Sequence, residues 1–379
     1  MSDTPPVFNK NMSKEEIEKF MGYFKENMEL PGGITRGKIG NYIGLVICMS
    51  CTIYFKWGWQ EKKREAICKA LEKYTKLFGN KFNWVKAEDE PNKPLHQEYK
   101  KTHPLRKLYK KWDENTIVYR HYKGGDKIED ASPYSFLIMT RPKWKADKID
   151  KNNSNGMDVI RFSVPLSYTK EHLNQFIDMV FELAHDLDAL HGFAGYRTEI
   201  SPERYDDEST EALIAQRVNG ITVGNDFLAT IDLSETTIKT ISWLTIIGNK
   251  ILPKEDYTWL RSELPPSWFA LYPYPSGVIV QAGTQPLMAS LDADPFPPSY
   301  VLANMIFKPH RAKDCFIHHN LSTRPIIAGN SAIAAWLSRF DIPEDQLDAY
   351  KAKLTKMPRL RRKDILFEAT DPQVQALYK

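Results

Sequence analysis

The chain has 379 residues, 42% hydrophobic and 26% charged, with nine Trp, four Cys and a net charge of +4. Such a chain can bury a substantial core in one large or two modest domains, and its aromatic content excludes broad disorder. No apolar run reaches the roughly 18 residues of a spanning helix, the start lacks the pattern of a secretory signal, and four cysteines form no dense disulfide framework, so a cytoplasmic protein with reduced thiols is expected.

In chain order, residues 13–28 read as a first helix, with Ser13 and Glu16 spaced as a capping box and Pro31-Gly32-Gly33 ending it. Residues 42–55, "YIGLVICMSCTIYF", are β-branched and apolar and read as one long buried strand or two strands. A helix is expected from about Gln60, with Ile67, Ala70, Leu71, Tyr74, Leu77 and Phe78 at helical spacing and Gly79-Asn80 as its stop. Residues 82–85 read as a short strand. The polar stretch 86–115 holds one helix near 97–111. Strands are expected at 116–122 and 134–140, and residues 145–156, "KADKIDKNNSNG", have loop composition.

"MDVIRFSVPL" (157–166) reads as a strand and 169–190 as a long helix. On that helix Leu173, Phe176, Ile177, Val180, Leu183, Ala184, Leu187 and Leu190 form one apolar stripe. His191 follows the last apolar turn, and Gly192 suits the left-handed position after a helix. Strands at 242–248 and 277–283, separated by a helix and the Pro-rich "PPSWFALYPYPS", lead to a helix near 298–307 and a helical region from about 329. The irregular mixture favours an α+β fold, a mixed or antiparallel sheet packed with helices, with a mostly helical C-terminal region. The division is 1–39 as N-terminal helix and linker, 40–308 as the core, and 309–379 as a basic helical extension.

The candidate catalytic motifs fail on their own chemistry. His185 and Asp186 resemble paired metal ligands, but His185 points away from the apolar stripe and His172 cannot converge with it, so a solvated helix end is the better reading. "GGITRGK" (32–38) matches a phosphate-binding loop, but Ile39 stands where a hydroxyl must reach Mg²⁺, and the motif opens a strand instead of a helix. Cys48 and Cys51 form a C-x-x-C inside strand-like sequence, where the two thiols face opposite sides. His310, Cys315, His318 and His319 are the best remaining metal cluster, though adjacent histidines cannot share one face of a regular element. No cofactor, metal or catalytic residue is expected.

Charge is unevenly spread. Residues 56–127 are lysine-rich, residues 351–363 carry seven basic residues and no acid, and "ERYDDESTE" (203–211) is strongly acidic. Such blocks are usually solvated faces but favour charged partners.

Six stretches in order carry a resemblance: "GLVICMSCTIYFKWGW" with "YTKLFGNKFNW" after it, "ASPYSFLIM", "MDVIRFSVPLSY", "FELAHDLDALHGFAGY", "IKTISWLTIIGNKIL" and "LYPYPSGVIVQAGTQP". Together they resemble the bacterial type VI secretion immunity family of the TsiV type, over roughly residues 40–308. The resemblance implies a cytoplasmic protein that binds a secreted toxin encoded beside it, protecting its producer and kin. Relatives neutralise VRR-type nucleases by covering the active site, and the family supplies no catalytic residues to carry over. A nuclease presents a basic cleft, which carboxylates can meet, accelerating association and fixing orientation. Glu203, Asp206, Asp207, Glu208 and Glu211 are therefore the candidate toxin-binding residues. The rival readings are a metal-dependent hydrolase using His185 and Asp186 or the His310–His319 cluster, and a nucleic-acid binder using residues 56–127 and 351–363. Neither membrane association nor direct nucleic-acid binding is expected.

Overall fold

The computed structural model describes residues 13–16, 29–30, 34–36, 41–90, 92–203, 207–290, 296–313, 315 and 330–366. One antiparallel sheet dominates. Its strands are β1 (Glu29–Leu30), β2 (Ile34–Arg36), β3 (Ile43–Phe55), β4 (Trp84–Ala87), β5 (His96–Glu98), β6 (Val118–Lys123), β7 (Ser135–Thr140), β8 (Asp158–Pro165), β9 (His191–Ile200), β11 (Leu244–Gly248), β12 (Phe269–Tyr274) and β13 (Gly277–Ala282). A separate pair joins β10 (Val218–Asn219) to β14 (Ala289–Ser290). The order across the large sheet is β12-β13-β11-β9-β3-β8-β7-β6-β4-β5, with β1 and β2 beside the start of β3. The α+β expectation holds.

β3 is one strand and sits at the centre, paired with β9 over its length and with β8 from Cys48 to Phe55. Its alternation sorts residues between two buried faces. Met49, Cys51, Ile53 and Phe55 enter the main hydrophobic core together with Phe136, Ile138, Ile160 and Phe162. That face is covered by the helices Glu61–Phe78 and Leu166–Asp186, which pack against each other. Phe176, Ile177, Val180, Leu183 and Ala184 are buried, so the apolar stripe read from the sequence is the packing stripe. Lys63 pins the two helix ends together, donating to Asp188 Oδ2 at 2.8 Å and to the carbonyl of Leu187.

Several local expectations need correction. The long helix ends at Asp186, and His191 and Gly192 open β9 instead of closing the helix. Gly192 is there because its neighbours come close: a Cβ would lie 2.7 Å from the Thr52 carbonyl oxygen of the paired strand. The loop-like stretch 145–156 contains most of the helix Lys143–Lys151. The Pro-rich segment contains β12, which tolerates Pro273 because β12 is the sheet's edge. The helix near 97–111 reduces to Leu105–Tyr109 after β5 and a short 3₁₀ turn. Ser13 and Glu16 form the expected reciprocal cap, with Ser13 N donating to Glu16 Oε2 at 2.7 Å and Glu16 N donating to Ser13 Oγ at 3.3 Å. Most of the expected 13–28 helix and Pro31-Gly32-Gly33 lie outside the described residues.

Candidate functional site

The sheet's second face differs from the first. Register places Lys86, His121, Leu137, Arg161, Thr52 and Phe193 in one lateral row across β4, β6, β7, β8, β3 and β9. Arg197 and Glu199 lie on the same face of β9. The segment following β10 runs beside β9, with Thr222 against Arg197, and supplies Asp226, the first residue of the short helix Asp226–Ala229. The result is a charged layer at the centre of the molecule.

Asp226 is its hub. Its carboxylate accepts from Thr52 Oγ1 at 2.8 Å, Tyr54 OH at 3.2 Å and Lys239 Nζ at 2.8 Å. Arg197 Nη1 stands 2.8 Å away. Burial pushes this carboxyl up, but Arg197, Lys239 and Arg161 outweigh burial and hold it below the usual carboxylate range. Arg161 pairs with Glu199 at 3.0 Å, and Arg197 also donates to the carbonyl of Gly224. Burial raises Glu199 above its ordinary value despite both arginines. His191, stacked on Tyr54 with centroids 5.8 Å apart, is a satisfied core histidine. Its Nδ1 bonds the Ile246 carbonyl at 3.2 Å and its Nε2 accepts from Lys239 N at 3.0 Å, and burial holds its pKa down at about 3.

Above this layer a pocket of about 220 Å³ opens to solvent. Arg161, Arg197, Glu199, Glu208 and Glu211 form its buried floor, while Lys86, Glu88, Tyr119 and Phe227 stand at its more exposed rim. His121 also lines it. Burial, then Arg161, Lys123 and Lys86, hold that ring well below its ordinary pKa, and its Nε2 lies 2.8 Å from Ser135 Oγ.

The acidic stretch therefore faces inward more than its composition suggests. Glu203 is paired with His96 at 2.8 Å and Lys86 at 3.4 Å. Asp207 is buried and accepts from Tyr42 OH at 2.8 Å. Glu208 and Glu211, in the first turn of the helix Glu208–Arg217, are buried, and Glu211 accepts from Thr198 Oγ1. Asp206 lies outside the described residues. The arginines and Glu199 were missed in the sequence, although a signal existed: one charge inside the strand-like run "VIRFSV" and two charges at alternate positions in "YRTEI".

The rival sites separate. His185 is exposed, and its Nδ1 lies 2.9 Å from Oδ1 of its neighbour Asp186, as at a solvated helix end. Cys48 and Cys51 are buried on opposite faces of β3, and burial raises both thiols. Burial likewise pushes the Cys315 thiol up to about 12. His318 and His319 lie outside the described residues. Among the described residues, no group of three or more His, Cys, Asp and Glu side chains is arranged to hold a metal ion. The lysine-rich block 56–127 is interleaved with acids: Lys56 with Asp150, Lys73 with Glu182, Arg106 with Glu72 and Arg120 with Asp89. In the C-terminal basic run, Arg359 lies over the Trp268 ring.

A family model described as type VI immunity for VRR-NUC, TsiV, matches residues 66–340. The chain belongs to the TsiV family. It is a type VI secretion immunity protein, and the resemblance read from its ordered stretches is confirmed. Among solved structures it is similar to the Pseudomonas aeruginosa T6SS protein PA0821, at 29% identity and a TM-score of 0.81, over 93% of this chain and 99% of that one. A search of curated proteins found no match. Among the described residues no helix of this TsiV-family chain is long and apolar enough to cross a membrane.

Proposed function

We propose that this immunity protein acts in the cytoplasm by binding a VRR-type nuclease effector and occluding it, without chemistry of its own. The family match over residues 66–340 is the observation that carries this reading. The charged layer supports it from the other side. Its arginines and carboxylates pair with one another, which rigidifies that side of the sheet.

Affinity for a partner requires apolar burial as well as charge. Trp57, Trp144 and Ile231 are exposed on the described surface. Trp57 Nε1 donates to Asp150 at 2.8 Å on the helix that carries Trp144, and Arg141 bonds the Thr230 carbonyl at 3.2 Å beside Ile231. The segments that carry the three therefore meet at one end of the sheet. Trp57 holds a left-handed backbone, φ 59°, an uncommon conformation for a bulky residue that concentrates at functional surfaces. Protection against a lethal nuclease calls for nanomolar binding or tighter, about −12 kcal/mol, over an interface of roughly 1,600 Å².

Growth rescue tests the reading. Cells expressing the nuclease domain encoded beside this chain should survive when the chain is co-expressed, and the two should co-purify. Continued killing with both proteins present at equal levels would contradict it.

A further inference from the structure

We propose that the toxin docks on the end of the sheet around Trp57, through a face that is apolar at its centre and carries carboxylates beside it; this rests on the toxin-binding reading above. Of the eight large hydrophobic side chains exposed among the described residues, four stand on adjoining segments here: Trp57, Ile117, Trp144 and Ile231. Lys56 Nζ ties three of those segments together. It reaches Asp150 of the helix Lys143–Lys151 at 2.5 Å and Glu235, in the loop after Ile231, at 2.8 Å. Lys143 N donates to the Glu114 carbonyl at 2.8 Å, which sets the start of that helix beside the turn before Ile117. Exposed apolar side chains gathered in one place mark interaction sites, whereas scattered ones need no explanation.

Trp57 is also held ready. Its left-handed backbone, φ 59°, persists in a bulky residue only where the surroundings impose it. Here Gly58 N donates to Asp158 Oδ2 at 2.7 Å, Gln60 N to the Trp57 carbonyl at 2.9 Å and the indole N–H to Asp150 Oδ2 at 2.8 Å. The turn has no slack, because a Cβ on Gly58 would lie 2.4 Å from Thr140 Cγ2. With its one polar side-chain atom satisfied, Trp57 offers a partner apolar ring surface that loses little freedom on binding, as an aromatic anchor should. Charge beside the rings sets the partner's chemistry. Lys148 and Lys151 follow Trp144 by four and seven positions, on one face of their helix. With Lys145 they are exposed and make no ion pair among the described residues, against one exposed carboxylate, Asp147. The neighbouring carboxylates are held within the chain: Asp150 and Glu235 by Lys56, Glu114 by Lys143, and Asp158 by the backbone of Gly58 and Arg141. This helix face therefore attracts a toxin face that carries carboxylates and repels a basic one.

The test measures binding of the full chain to its cognate nuclease. Trp57→Asn, which suits the left-handed backbone, should leave the fold intact and weaken binding about thirtyfold or more. Trp144→Ala should weaken it about tenfold. Lys148→Glu with Lys151→Glu should slow association at low salt, with a smaller effect at high salt. Leu77→Ala, at the far end of the helix Glu61–Phe78 that starts beside Trp57, should change nothing. Thermal melts expose any variant that fails to fold, and the exposed Trp144→Ala then decides. Wild-type affinity in both tryptophan variants, or an equal loss in Leu77→Ala, overturns the proposal. Faster association on lysine reversal would reveal a basic toxin face and overturn it too. Self-association lost in Trp144→Ala, with nuclease binding unchanged, would assign the patch to a second copy and overturn it as well. Failure of the wild-type chain itself to bind the nuclease is a separate result, seen without any variant, and sinks the toxin-binding reading together with this inference.

Discussion

On one face of the sheet, Met49, Ile53, Ile138 and Phe162 meet Phe176, Val180 and Leu183 from two helices. On the other, Thr52, Arg161 and Arg197 surround Asp226 and Glu199. Both faces are buried, and both come from the same strands by simple alternation. The first face is held by non-directional burial, which tolerates volume-conserving change. The second is held by directed pairs, each of which fails if one member is removed. The first face explains why the chain folds. The second holds the strands in one polar arrangement beneath the pocket.

Substitutions can break this comparison in graded steps. The largest effect belongs to Asp226→Ala, which strands Lys239 and Arg197 as buried cations; a loss of about 3–5 kcal/mol is expected in chemical denaturation. A loss below about 1 kcal/mol would mean the charged layer is wetter than its burial implies. Leu183→Ala, on the apolar face, should cost about 3 kcal/mol through lost burial and a cavity, a value that depends little on pH.

Proton linkage sharpens the contrast. The buried His191 imidazole stays neutral until about pH 3, while in the unfolded chain it protonates near its ordinary 6.5. Its contribution is therefore fully present above that value and is lost as pH falls from 6.5 toward 3. His191→Phe removes this dependence. Between pH 6 and 4 the wild type should lose about 1.4 kcal/mol per pH unit relative to the variant; parallel stability curves would contradict the neutral buried ring. The smallest effect is expected for His185→Ala, within about 0.5 kcal/mol at any pH near neutrality, because that side chain lies on a solvated helix end.

Much of the fold was legible where local signals agreed. β3, β8, β11 and β13 are dense in β-branched residues, and the two covering helices carry clean apolar stripes. β9 was hidden because Gly192 mimics a helix stop, whereas it serves close packing against Thr52 of the partner strand. β12 was hidden by prolines that only an edge position permits. The acidic stretch was legible as composition but not as orientation. The hydroxyl that holds Asp207 belongs to Tyr42, far away in sequence, and no local pattern could announce it. The family was legible from ordered segments that together outweigh any single motif.

Occlusion without turnover makes a direct demand on stoichiometry. Purified cognate nuclease should be titrated with this chain while DNA cleavage is followed. The account predicts a linear fall in activity that reaches zero at one chain per nuclease, with the nuclease recovered intact. Inhibition complete at far less than one equivalent, or undiminished cleavage at a molar excess, would contradict it.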